Sequence, residues 1–265
     1  MDRFNKLFVG VVLAVGLLCV GFATTGTADN NTVFLLSTQG GVVFDAPWDY
    51  VKAGYSPELN LNDITVECWV NPVAIDPRTG LPPGRMELVG RSWSVPYALW
   101  RWETGTVNFM VFFPSVGGIQ PKQITSTSVV PPGVWTHVAG TYSSSTGELK
   151  IYVNGVLEGT NNISTHTDIT SLVPFVEVTD LTIGTTAWDY PFLNIFFGLM
   201  DEIRISNVAR DPSEFLTRDG EYAQGYDNGY DDGYADGLAV NNAALLDMLP
   251  PGIRKNVEKQ QGFAK

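Results

Sequence analysis

At 265 residues and a formal net charge of −12, from 16 basic and 28 acidic side chains, the chain repels phosphate backbones and is not built for nucleic acid. With 44% hydrophobic, 12% aromatic and only 17% charged residues, it is not disordered, coiled-coil or collagen-like. Its 27 glycines and 16 prolines beside many aromatics point to a turn-rich β domain large enough for its own core.

Residues 1–28 read as a secretory signal peptide. Arg3 and Lys6 give a positive start, Leu7 to Phe22 is apolar, and Gly26 and Ala28 fit a signal-peptidase site, with Ala23 as a second candidate. Lipidation at Cys19 is disfavoured because Leu18 stands where a small residue is expected. The alternative is an uncleaved anchor, since the apolar run falls only slightly short of the ~18–20 residues a span needs. The expectation is a secreted or cell-surface protein with no membrane insertion after signal removal. Loss of Cys19 would leave Cys68 as the one cysteine, with no intramolecular disulfide.

From about residue 32 to 208 the pattern is strands and turns. Val42–Phe44 and Tyr50–Lys52 are short extended runs. Ile64, Val66, Cys68 and Val70 share one face of a strand, and Thr65, Glu67 and Trp69 the other. Residues 74–85 form a Pro/Gly loop that is neither strand nor helix. Strands are expected at Glu87–Val89, Tyr97–Trp102 and Thr106–Phe113, the last with Val107, Phe109, Val111 and Phe113 on one face. Pro131-Pro132-Gly133 turns the chain into Val134–Tyr142, and Leu149–Val153 follows. Asn154-Gly155 is a strong hairpin signal, with Val156–Leu157 starting the return strand. Leu181–Ile183 and Phe197–Ile205 close the series. Strands at this spacing without intervening helices predict an all-β fold, an antiparallel sandwich or barrel; too long for a seven-strand immunoglobulin type, the chain suits a larger, two-sheet jelly-roll sandwich over residues 29–212.

Residues 213–240 differ in kind. Tyr222, Tyr226, Tyr230, Tyr234 and Leu238 recur every fourth residue, as do Gly225, Gly229, Gly233 and Gly237. This acidic repeat predicts a short helical C-terminal extension, weakened by about 1 kcal/mol per glycine and in need of a partner surface. It is either a solvated acidic helix face or a seam for self-association through residues 222–238. Residues 241–265 read as a short helix and a loose tail.

Three stretches together resemble the laminin G-like, concanavalin A-like jelly-roll superfamily. They are Ile64–Val70, then Val134-Trp135-Thr136-His137-Val138-Ala139-Gly140-Thr141-Tyr142 with Leu149–Gly155, and Phe197–Asn207. The resemblance spans roughly residues 33–212 and implies the jelly-roll fold. The same block reads physically as Trp135 anchoring the core before an alternating strand. The resemblance also implies a structural calcium ion, held by an aspartate from a late strand. Asp201 fits, because its parity along the last strand matches Leu199, Ile203 and Ile205 on the aliphatic side, and a buried carboxylate must be paired or metal-bound. Asp45 and Asp49 are weaker partners, and a hydrogen bond to backbone or arginine is the alternative at Asp201.

Catalysis is not expected. Asp201 and Glu202 point to opposite faces, whereas glycosidases set two carboxyls across one gap of ~5–10 Å. Enzymes that share the resemblance carry an E-x-D-x-x-E strand, and Glu67 and Glu87 stand alone on theirs. His137 and His166 are too few for a zinc site, and His137 reads as surface or hydrogen-bonded. Aromatics are the better signal: Trp100 and Trp102 share one face, and Trp188 and Tyr190 crowd the Thr185–Asn194 loop, where Trp188 with Asp189 and Tyr190 is the leading candidate for a binding loop. Such rings stack on sugars or pack as core. The leading expectation is a secreted, non-catalytic binding module for extracellular carbohydrate or a surface protein. A self-assembling structural or adhesive component is second, and a divergent glycoside hydrolase third.

Overall fold

The structure, a computed structural model, describes residues 31–38, 41–46, 49–91, 96–115, 118–163, 180–186 and 194–216. The leader, the residues around Trp188 and Tyr190, and the tyrosine repeat with its expected helices lie outside the described residues. The strands are β1 (Thr32–Leu36), β2 (Val42–Phe44), β3 (Val51–Gly54), β4 (Ile64–Pro72), β5 (Met86–Arg91), β6 (Tyr97–Arg101), β7 (Thr106–Ser115), β8 (Gly118–Val129), β9 (Thr136–Ser143), β10 (Glu148–Val153), β11 (Val156–Asn162), β12 (Leu181–Ile183) and β13 (Gly198–Ser206). A seven-stranded sheet runs β1-β13-β4-β9-β10-β11, with β2 also paired to β13, and a six-stranded sheet runs β3-β12-β5-β6-β7-β8. The strand pairs are antiparallel, so the all-β jelly-roll sandwich is the observed architecture.

Alternation decides which side chains fill the space between the sheets. Ile64, Val66, Cys68 and Val70 of β4 are buried there with Val138 and Tyr142 of β9 and Leu149, Ile151 and Val153 of β10. Opposite them stand Tyr97 and Leu99 of β6 and Val107, Phe109, Val111 and Phe113 of β7. The Phe113 and Tyr142 rings meet edge-on across the gap, with centroids 5.1 Å apart. Where Phe109 lies over β9, the facing residue is Gly140, and a Cβ there would come within 2.1 Å of the ring. Burial pushes the Cys68 thiol well above its usual value and the Tyr97 hydroxyl up to about 12, so both stay neutral core groups.

The hairpin at Asn154-Gly155 forms as expected, both residues taking positive φ (49° and 74°), as a two-residue type I′ turn requires. The long strand β8 had no sequence counterpart. Its residues Gln120-Pro121-Lys122-Gln123-Ile124-Thr125-Ser126-Thr127-Ser128 lack apolar alternation because β8 ends the six-stranded sheet, where polar side chains and a proline are tolerated. Its backbone is capped from the other sheet. The Glu158 carboxylate accepts hydrogen bonds from the Thr127 and Ser128 amides and hydroxyls, and Asn161 Nδ2 donates to the Gln123 carbonyl at 3.1 Å.

Two expectations are corrected. Trp135 is half-buried rather than a core anchor; its ring lies against Gly41, where a Cβ would come 3.1 Å from Cη2. In β13 the register shifts between Asp201 and Arg204, with Glu202 at φ 48°. The bulge inserts a residue and reverses the parity of the strand beyond it. Met200, Ile203 and Ile205 join the core, while Asp201 pairs across from Trp69 on the outer face. Asp201 therefore does not share the aliphatic face of Ile203 and Ile205.

Candidate functional site

Among the described residues each sheet carries one fully buried glutamate on its outer face, and the two differ in their surroundings. On the seven-stranded sheet, outward parity in β4 places Glu67 beside Arg204 of β13 and His137 of β9. Glu67 Oε1 accepts from Arg204 Nε at 2.7 Å, and Oε2 accepts from the Leu216 amide at 2.9 Å and lies 3.0 Å from His137 Nε2. Residues 207–216 cross this face as a strap. Trp69 Nε1 donates to the Leu216 carbonyl, Arg204 Nη2 to the Glu214 carbonyl, and Arg210 Nε to Ser206 Oγ. Phe215 seats its ring against His137 and Tyr152. The side-chain atoms at the centre of this network are satisfied, which is what a buried ion pair needs to hold a fold together.

The second glutamate sits on the six-stranded sheet. Glu87 of β5 pairs across from Trp100 of β6, which pairs across from Asn108 of β7. All three are outward and buried, at 0%, 2% and 0% exposure. The carboxylate lies over Gly90: a Cβ there would come 2.7 Å from Glu87 Oε1. Glu87 Oε2 takes Arg85 Nη2 at 2.7 Å and the Thr186 hydroxyl at 3.3 Å. Asn194 donates from Nδ2 to the Thr186 hydroxyl at 2.9 Å, and its carbonyl accepts from the Glu87 amide at 2.8 Å. The Arg85 guanidinium rides over the indoles, 4.1 Å from the Trp100 centroid and 5.8 Å from that of Trp102.

This second patch is incompletely satisfied. Among the described residues, Trp100 Nε1 and Asn108 Oδ1 are buried without a hydrogen-bond partner, and so is the hydroxyl of Thr185, next to Thr186 in the chain. Asn108 spends its Nδ2 on Thr125 Oγ1, at 2.6 Å. Each such atom costs about 1–3 kcal/mol if left unpaired, so a donor and an acceptor on facing strands mark a place where a ligand or water completes the set. Asp76, the acidic residue of the loop before β5, is tied to Arg78, which lowers its carboxyl below the usual range despite partial burial.

Of the residues singled out from sequence, Trp100 and Trp102 come together, edge to face with centroids 5.6 Å apart. Trp100 is not an open stacking platform, however, because Arg85 covers its ring. Trp188 and Tyr190 lie outside the described residues, while Thr186 and Asn194, on either side of them in the chain, are both held at Glu87. Asp201 Oδ1 accepts from the Thr38 amide at 3.1 Å, the Thr38 hydroxyl at 3.3 Å and the Glu202 amide at 2.9 Å. Asp45 lies beyond the Phe44–Gly198 pair, about 13 Å along the strand from the level of Asp201. Burial, then the hydrogen bond and repulsion from Asp49, push the Asp45 carboxyl up. The two expected calcium ligands are thus apart, and Asp201 Oδ1 already holds three hydrogen-bond donors, so this donor set does not fit one ion bridging Asp45 and Asp201. Among the described residues no group of three or more His, Cys, Asp or Glu is placed to hold a metal.

Arg85, Glu87, Asn108, Thr186 and Asn194 were not picked out by sequence. Glu87 carried a readable signal, a carboxylate inside the apolar run Met86–Val89. The partners come from three separate segments and had none.

A family model described as the concanavalin A-like lectin/glucanases superfamily matches residues 45–215. Among curated proteins none matches the sequence. A carbohydrate-binding module named CBM40 of the Ruminococcus gnavus IT-sialidase, solved bound to α2,3-sialyllactose, superposes with a TM-score of 0.53 at 14% identity, covering 69% of this chain and 97% of that one. The leech intramolecular trans-sialidase, complexed with 2,7-anhydro-Neu5Ac, superposes with a TM-score of 0.51 at 15% identity, over 72% of this chain and 29% of its own. At these identities the likeness is one of fold.

Proposed function

The chain belongs to the concanavalin A-like lectin/glucanase superfamily, and from that premise we propose that it is a secreted, non-catalytic carbohydrate-binding module. Its binding face is the outer surface of the six-stranded sheet around Glu87, Trp100, Trp102 and Asn108. The observation that carries this reading is the unpartnered pair Trp100 Nε1 and Asn108 Oδ1 on facing strands beside two indole rings. A sugar supplies the groups that surface lacks: hydroxyls that both donate and accept, and an apolar C–H face for the half-buried Trp102 ring. Among solved structures of this fold, the module bound to α2,3-sialyllactose supports the same class of ligand.

The non-catalytic reading rests on the same geometry. Glu87 is engaged by Arg85 and Thr186, and Asp76 by Arg78. Hydrolysis needs a second carboxyl facing the first across a gap of ~5–10 Å. The test is a glycan array probed with the wild-type chain and with Trp102→Ala, whose half-buried ring can be removed with less damage than that of Trp100. Binding to defined glycans that drops at least about tenfold in the variant, at a similar thermal midpoint, supports the reading. Retained binding in the variant, or no glycan bound by the wild type, overturns it.

A further inference from the structure

We infer that this face takes an uncharged sugar and discriminates against glycans bearing a carboxylate. The inference rests on the carbohydrate reading of the face and names the class of ligand within it. The cation at the site is Arg85, whose side chain keeps 24% exposure. It is already neutralised by Glu87, fully buried and 2.7 Å away. Glu87 is fixed there by the Thr186 hydroxyl, by its own backbone bond to Asn194 and by the space over Gly90. A ligand carboxylate approaching the guanidinium would share it with a second, immovable carboxylate, an arrangement in which like charges disfavour each other's ionised form. The net charge of −12 adds same-sign repulsion at low salt.

Two unpartnered atoms on neighbouring strands point the same way. Trp100 Nε1 needs an acceptor and Asn108 Oδ1 needs a donor. Sugar hydroxyls offer both, whereas an ionised carboxylate only accepts and would leave Asn108 Oδ1 bare. Arg78, whose guanidinium lies over Phe197, is likewise matched by its own acid, Asp76. The fold-level likeness to a module bound to sialyllactose therefore does not carry over to ligand charge.

The experiment is titration calorimetry of the full mature chain against lactose, 3′-sialyllactose and a panel of neutral gluco-, xylo-, manno- and N-acetylglucosamine oligosaccharides. At least one neutral sugar is expected to bind, with 3′-sialyllactose no tighter than lactose. Glu87→Gln keeps the shape but uncovers the Arg85 charge, and should shift the acidic-to-neutral affinity ratio toward the acidic sugar by about tenfold. A wild type that binds 3′-sialyllactose at least about tenfold tighter than every neutral sugar overturns the inference while leaving the carbohydrate reading in place. Failure to bind any sugar of either class overturns both. If Glu87→Gln does not fold, the wild-type comparison decides alone; if it folds and the ratio is unchanged, charge compensation by Glu87 is refuted.

Discussion

Replacing Gly140 with alanine tests how closely the two sheets approach. The new Cβ would sit 2.1 Å from Phe109 Cγ and 2.5 Å from both Cδ atoms. Ordinary carbon–carbon contact is about 3.5–4.0 Å, so the ring or the strand must move by about 1.5 Å. Phe109 is fully buried between Gly140 and its own strand neighbours, with no open side to move into. Overpacking of this kind costs about 1–3 kcal/mol, and the absence of slack places Gly140→Ala near the upper end. For a domain of this size each kcal/mol lowers the midpoint by about 2–4 °C, giving an expected fall of about 6–12 °C. Thermal unfolding followed by near-ultraviolet circular dichroism reads it. Phe109→Ala in the same chain removes Cγ and both Cδ atoms, so the double variant should lose less than the sum of the singles. A midpoint unchanged in Gly140→Ala, or strict additivity in the double variant, would refute the close packing of the sheets at this point.

Glu67→Ala strands the Arg204 guanidinium and frees the strap at Leu216, and should cost about 3–5 kcal/mol in chemical denaturation. Hydrogen bonds from Thr127 and then Ser128 hold the Glu158 carboxyl down to about 2. A depressed carboxyl stabilises above its unfolded value and loses that effect as pH falls through its folded one. The sheet-to-sheet cap should therefore weaken between about pH 4.5 and 2, and Glu158→Gln should flatten the midpoint-versus-pH curve in that window. Asp201→Ala removes the acceptor for the Thr38 amide and should lower stability by about 1–3 kcal/mol. Wild-type midpoints with calcium and with chelator should superimpose, and a chelator-sensitive midpoint would show that a metal does bind.

The sandwich was legible because its central strands carry period-two alternation. Ile64 to Val70 and Val107 to Phe113 divide between core and surface as parity dictates. The features that escaped were set by context. Strand β8 is polar because it ends a sheet, and Asp201 changed sides because Glu202 adopts positive φ in a bulge that composition does not announce. The site was half legible. Trp100 and Trp102 stood out as a spaced aromatic pair, but Arg85, Thr186 and Asn194 reach Glu87 only through the fold. A long-range constellation of that kind leaves no spacing to read.

The most direct test of the proposed binding face is a ¹H–¹⁵N spectrum of the indole and side-chain amide region, recorded while a glycan selected from the array is titrated in. Trp100 and Trp69 lie on the outer faces of opposite sheets, one indole N–H unpartnered and the other bonded to the Leu216 carbonyl. Binding at the six-stranded sheet should shift the Trp100 indole and the Asn108 side-chain amide with saturation while the Trp69 indole stays still. Movement of Trp69 with Trp100 unperturbed would place the sugar on the opposite sheet and contradict the proposed face.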